Sequence, residues 1–280
     1  MSVEITYISD FFSSQVLGGG ELNDDVLLDT LIEQGHQIKK INSSNVQLSD
    51  INNRTKFIVS NFVNLNKQLL SALESNCSYV IYEHDHKYLT NRNPAAFKDF
   101  LAPKNYLINQ NFYKSAKKVI CQSSFHQNIV KKNLDIKNIY NVSGNLWSDE
   151  SLDLMSNLLK FKKKDCYSIL KSLTEHKNTR ECVDYCRLKG FDYELISSND
   201  YSLFLKKLSQ NNKFLFLPKT PETLSRVVVE SKMMGVKAIT NKNVGATYEN
   251  WFNKSGEDLI EIMRDKKKEI SLKIMEFLHE

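Results

Sequence analysis

The chain has 280 residues, 41 % hydrophobic and 25 % charged, with a formal net charge of +5. That is the composition of a soluble globular protein, large enough for one big domain or two modest ones. No stretch approaches the roughly 20 apolar residues that cross a bilayer, and the start, MSVEITYISD, lacks the basic and then apolar pattern of a signal peptide, so a cytoplasmic protein is expected.

Val3 to Ser9 is a short run rich in β-branched residues and reads as a buried strand. A loop ending in Gly18-Gly19-Gly20 follows it. Glu21 to Gln34 then has the helical period, Gly35 closes it, and His36 to Ile41 returns as a strand. Lys56 to Ser60, Tyr79 to Tyr82, Lys118 to Cys121 and Ile139 to Val142 read as strands, with helices at Lys67 to Glu74 and Ser124 to Asn133. The polar text GNLWSDESLD, Gly144 to Asp153, reads as a linker.

A second series follows. Strands are expected at Tyr167 to Leu170, Tyr193 to Ser197, Lys213 to Leu217 and Val236 to Thr240. Helices are expected at Thr179 to Leu188, Tyr201 to Leu208 and Leu224 to Met234, and at Glu257 to Leu278 with a break near Asp265. Strands alternating with helices predict parallel sheets covered on both faces. The fold class is therefore α/β: two facing Rossmann-like domains, residues 1–145 and 146–280, with the final helix free to pack back on the first domain.

Chemistry concentrates in PETLSRVVVESKMMG, residues 221 to 235. Glu222 falls at the carboxyl end of a parallel strand, where open α/β sheets bind ligands. Thr223 is the expected cap of the helix starting near Leu224, whose first turn is an anion site. Glu230 lies eight residues further on, two turns along the expected helix, and eight residues of helix span about 12 Å. An extended nucleotide sugar would suit that spacing, since a carboxylate accepts two hydroxyl donors from a ribose diol.

Taken in order, these features resemble the retaining glycosyltransferases of family four. Glu222 and Glu230 stand at the spacing of that family's two glutamates; Leu224 stands for its Phe and Ser225 for its first Gly, and Gly235 and Gly245 follow. Lys237 replaces its proline, and Ala246 the second Gly of its turn. Gly18-Gly19-Gly20-Glu21, Tyr82-Glu83-His84-Asp85 and Val119 to Ser123 resemble its amino-terminal elements. Lys171 to Asn178 resembles its Gly-Arg-Leu-x-x-x-Lys-Gly motif, with Lys177 on the lysine and Ser172 where the family has arginine; Lys171 is the available replacement.

The resemblance implies a compact GT-B fold and transfer of a sugar from a nucleotide diphosphate to a hydroxyl, with the anomeric configuration kept. It implies Glu222, Lys177 and His84 as catalytic residues. The donor would be held by Gly18, Gly19, Gly20, Lys171, Ser172, Lys177, Leu224, Ser225 and Glu230. His84, Asp85, His86 and Arg92 would face the acceptor. The donor would be a UDP-, GDP- or ADP-linked sugar and the acceptor a glycan, a lipid-linked glycan or a small molecule. No Asp-x-Asp pair occurs in the chain, so neither a protein-held metal nor any other cofactor is expected.

Each residue also has a plainer reading. The glutamates would be a solvated helix face, Lys177 a surface lysine, Gly18 to Gly20 a flexible turn. That loop fails GxGxxG because Asn23 takes the place of the last glycine. Too few ligands surround His84 and His86 for a metal site. Cys77, Cys121, Cys166, Cys182 and Cys186 read as reduced, mostly buried thiols; the CxxxC of the last two is one residue wider than the zinc pattern. Lys162 to Lys164 and Lys266 to Lys268 read as solvated faces, or as peripheral contacts with the inner membrane face if the acceptor is lipid-linked. Nucleic acid is disfavoured as a partner because no basic and aromatic stripe stands out, although DNA remains open as an acceptor. The rival functions are a nucleotide-sugar-binding module without turnover and a sugar-nucleotide epimerase of the GT-B fold.

Overall fold

The computed structural model describes residues 4–280, so Val3 of the first expected strand lies outside the described residues. The chain divides into two compact units, residues 1–146 with 266–280, and residues 147–265.

Unit one holds β1 (Ile5–Ser9), α1 (Gly19–Glu33), β2 (Ile38–Asn42), β3 (Lys56–Val59), α2 (Lys67–Asn76), β4 (Ser78–Tyr82), α3 (Gln110–Ser115), β5 (Lys118–Cys121), α4 (Ser124–Asn133) and β6 (Ile139–Asn141). The strands pair in parallel in the order β2-β1-β3-β4-β5-β6. Successive side chains of a strand point to opposite faces. Phe57, Val59, Tyr79, Ile81, Val119 and Cys121 accordingly join one buried cluster, and Tyr7, Ile58, Val80, Tyr82 and Ile120 another. Both faces are covered, which is why these strands read as unbroken apolar runs.

Unit two holds α5 (Asp149–Leu159), β7 (Lys164–Leu170), α6 (Thr179–Lys189), β8 (Tyr193–Ile196), α7 (Tyr201–Ser209), β9 (Asn211–Phe216), α8 (Arg226–Met233) and β10 (Lys237–Thr240), followed by α9 (Gly256–His279), whose residues from Lys266 onward belong to unit one. Its parallel sheet runs β10-β9-β7-β8. Phe214 and Phe216 point into a core with Leu224, Val228 and Met263, while Leu215 joins Ile169 and Cys186 on the other face.

Four expectations need correction. Gly144 to Asp153 is not all linker: α5 begins at Asp149, where the Ser148 side chain accepts from Ser151 N and two acidic residues fill the first turn. The final helix does not break near Asp265 but continues through 24 residues; the stretch contains neither proline nor an internal glycine, and its charges pair locally, Arg264 with Glu261 and Lys266 with Glu269. Gly19 and Gly20 belong to the first turn of α1, with Gly18 as its N-cap. α8 starts at Arg226, because Glu222 to Leu224 is drawn into extended pairing with the segment after β10: Glu222 N donates to Asn243 O at 2.7 Å and Ala246 N to Leu224 O at 3.0 Å. Ser225, not Thr223, is therefore the N-cap, in the left-handed region at φ 75°. The two glutamates are not joined by continuous helix.

Candidate active site

In unit two the site lies at the carboxyl ends of β7 and β9. The chain leaving β7 makes a single turn, Glu175–Lys177, before Asn178 turns left-handed and α6 begins. Asn178 Nδ2 donates to Leu217 O at 2.8 Å and Lys219 N to His176 O at 2.9 Å, so the loops after β7 and β9 are stitched together. Lys177 reaches across this seam. Its Nζ lies 2.8 and 3.0 Å from the two oxygens of Glu222 and 5.8 Å from the centre of the Phe216 ring.

Glu230 is buried and held on one side. Oε1 accepts from Trp147 Nε1 at 3.0 Å and Tyr201 Oη at 2.7 Å, and lies 3.4 Å from Arg226 Nε. Oε2 takes no such contact among the described residues. Arg226 also donates from Nη2 to Tyr201 Oη at 3.3 Å, and its guanidinium lies 4.5 Å from the centre of the Trp147 ring. Burial, then the neighbouring Glu230 charge, pushes the Tyr201 phenol far above its ordinary range, so it stays a neutral donor. One turn before, the Ser225 hydroxyl is buried with no hydrogen-bond partner. Gly235 ends α8 at φ +70°, where a side chain would be strained, and a Cβ there would stand 2.7 Å from Leu159 Cδ1 and push it aside, so glycine is favoured.

The remaining donor-side residues of unit two separate. Leu224 is fully buried in the core. Ser172 Oγ accepts from Thr174 N at 3.1 Å within its own loop. Lys171 lines an open cleft with Glu194, Ile196, Ser197 and Lys207, a different grouping from Lys177 and Glu222.

In unit one the expected residues fall into two groups. β4 stops at Tyr82, so His84 and His86 do not share a strand face. His84 Nε2 lies 2.5 Å from Asp24 Oδ1, and its Nδ1 faces the side-chain amide of Gln122. Direct proton exchange with an acceptor hydroxyl would require one of these contacts to open. Gly20 lies over the ring: a Cβ at Gly20 would stand 3.5 Å from His84 Cγ. At Gly18 a Cβ would collide with the carboxylate of Glu21, whose pKa burial raises above the usual range.

His86 is elsewhere. Its Nδ1 lies 3.0 Å from Tyr88 Oη, its Nε2 is buried without a partner, and burial lowers its pKa from 6.5 to about 3. Asp85 takes Lys87 Nζ at 3.4 Å and Arg92 Nη1 at 3.3 Å, with Arg92 itself left-handed at φ 49°. Lys87 is also paired with buried Glu83 at 2.6 Å, and Glu83 accepts from Tyr113 Oη. Burial works against the Lys87 ammonium, but Asp85 and Glu83 outweigh it and hold its pKa above the usual lysine range.

Sequence reading missed Arg226, Tyr201 and Trp147 around Glu230, and Asp24 and Gln122 around His84. Arg226 had a signal, standing four residues before Glu230 in a helical stretch; the others come from distant segments. Among the described residues no group of three or more histidine, cysteine, aspartate or glutamate side chains could hold a metal ion, and the five cysteines are free thiols. No helix among the described residues is long and apolar enough to cross a membrane.

No protein-family profile matches the sequence, and no curated protein matches it either. Solved structures do. Sucrose-phosphate synthase from Thermosynechococcus elongatus superposes with a TM-score of 0.65 at 9 % identity, covering 99 % of each chain. An alpha-glucosyltransferase in complex with UDP and a 13-mer DNA containing a HMU base gives 0.54 at 12 % identity, over 100 % of this chain and 95 % of that one. HepE from Anabaena, in complex with UDP and glucose, gives 0.53 at 13 % identity, over 96 % and 90 %. The chain thus has the α/β fold with two parallel sheets that is shared by GT-B glycosyltransferases.

Proposed function

We infer that the chain is a glycosyltransferase of the family-four kind, moving a sugar from a nucleotide diphosphate to a hydroxyl with retention of anomeric configuration. The observation that carries this reading is the presentation of Glu230. Three protein groups gather on Oε1, and among the described residues none donates a hydrogen bond to Oε2, at the carboxyl end of a parallel sheet. A ribose diol is a donor pair suited to such an oxygen. Ser225, at the start of α8, adds an unpartnered hydroxyl beside backbone N–H groups that no preceding turn can satisfy.

In this mechanism the barrier lies in separating charge between the sugar ring and the departing phosphate. Lys177 and the first turn of α8 stabilise the phosphate, and Glu222 faces the transferred sugar. Before the donor arrives, Lys177 and Glu222 neutralise each other. A diphosphate draws the ammonium away and frees the carboxylate for sugar hydroxyls. The departing phosphate oxygen takes the acceptor proton, so no strong base is needed. His84, Asp85 and Arg92 mark the acceptor side, while His86 is buried and does not face it; a glycan, lipid-linked glycan or small molecule is the acceptor class. UDP is the first nucleotide to try, since two of the similar structures hold it.

The test is UDP release from UDP-glucose and related donors across an acceptor panel, with the anomeric proton coupling of the product read by NMR. Inverted product would sink retention. Binding without turnover in every pairing would favour a binding module, and interconversion of donors without acceptor an epimerase.

A further inference from the structure

We propose that Asp24 is a positioning residue for His84, setting the tautomer and seat of that imidazole; its kinetic consequence rests on the glycosyltransferase reading above. Asp24 sits one turn into α1, fully buried. Three elements converge on its carboxylate at the carboxyl end of the sheet. Ser9, from β1, donates to Oδ2 at 3.2 Å; Ser60, just after β3, donates to Oδ2 at 2.6 Å; His84, just after β4, meets Oδ1 at 2.5 Å.

The chemistry fixes the direction of the last contact. An ionised carboxylate only accepts, so His84 Nε2 carries the hydrogen. In the neutral ring Nδ1 is then the acceptor, and the Gln122 amide donates to it from Nε2. Both ring nitrogens are bonded, so the ring cannot swivel, and it supports Gly20 in the first turn of α1. Without Asp24, the ring has no fixed tautomer and Gly20 loses its floor.

The experiment uses the whole protein with 15N-labelled histidine. Long-range 1H–15N correlations identify the tautomer, and His84→Gln assigns the signal. Wild type is expected to show hydrogen on Nε2. Asp24→Asn, which keeps the shape and removes the charge, is expected to give a mixture of tautomers. It should also lower kcat by about tenfold to a hundredfold while donor KM stays within about twofold. In a double-mutant cycle Asp24→Asn should cost nothing further once His84→Gln is present, because its effect passes through the imidazole. An unchanged imidazole spectrum in Asp24→Asn, or losses that multiply in the double mutant, would overturn the proposal. If Asp24→Asn fails to fold, Ser60→Ala takes its place: the His84 Nε2 signal must move, and an unmoved signal refutes the role. A wild-type protein that turns over no nucleotide sugar would instead sink the glycosyltransferase reading, while the nitrogen spectra still decide the place of Asp24.

Discussion

Replacing Glu230 by glutamine isolates the group on which the functional reading rests. Glutamine keeps an acceptor for Trp147 and Tyr201, but its amide nitrogen cannot accept from a ribose hydroxyl. Two costs follow. The first is to stability: Arg226 and Glu230 have side-chain exposures of 7 % and 3 %, and breaking a buried pair by removing one partner costs up to about 3–5 kcal/mol. Arg226 keeps Tyr201 and the Trp147 face, so roughly 1–3 kcal/mol is expected, seen as a melting point lower by several degrees. The second cost is to binding. A hydrogen bond to a charged group is worth about 1.5–3 kcal/mol, or roughly 10- to 150-fold. Because the ribose does not react, that loss should fall on donor KM, with a smaller change in kcat. Melting curves by circular dichroism, with steady-state kinetics below the new melting point, separate the two. If Glu230→Gln melts early yet leaves KM unchanged, the carboxylate is a packing element and Oε2 meets no ribose.

Glu222→Gln should lower kcat more than KM, since this carboxylate is freed toward the reacting sugar; the reverse pattern would exchange the two glutamates' roles. Lys177→Ala should weaken UDP more than uridine, by about 1.5–3 kcal/mol in calorimetry, and equal losses would show that Lys177 touches no phosphate. Turnover is expected to persist in excess chelator; loss restored by Mg²⁺ or Mn²⁺ would contradict the absence of an Asp-x-Asp metal clamp. His86 is depressed from 6.5 to about 3 by burial. Its folded site disfavours the proton, so stability is present above pH 6.5 and is lost as pH falls toward about 3, with a limit near 5 kcal/mol. Urea titrations at pH 7 and 5 should show the fall, and His86→Gln should make it shallower, the remainder coming from buried His126, whose pKa is also lowered by burial.

Strands such as KFIVS and KVIC were legible because burial on both faces demands unbroken apolar runs. The glycines and glutamates stood out because few residues suit turns and strand ends. Convergence was not legible. Asp24 reads as one of two adjacent acids in an amphipathic helix, yet it is buried because α1 starts over the strand ends. Its partner His84 lies 60 residues away, and Gln122 a further 38; no periodicity encodes such meetings. α5 was hidden by its polar first turn, the same residues that cap it.

The division of the chain has a consequence for synthesis. Ile270, Ile274, Met275, Phe277 and Leu278 pack with Ile5, Tyr7, Leu27 and Leu31 in one cluster. The amino-terminal half leaves the ribosome first, but it waits for 119 intervening residues before that side of its sheet can be sealed. Until then its nascent form shows a wide greasy face to solvent, a surface suited to chaperone capture. Unit two, contiguous in sequence, can mature while its neighbour is still unfinished.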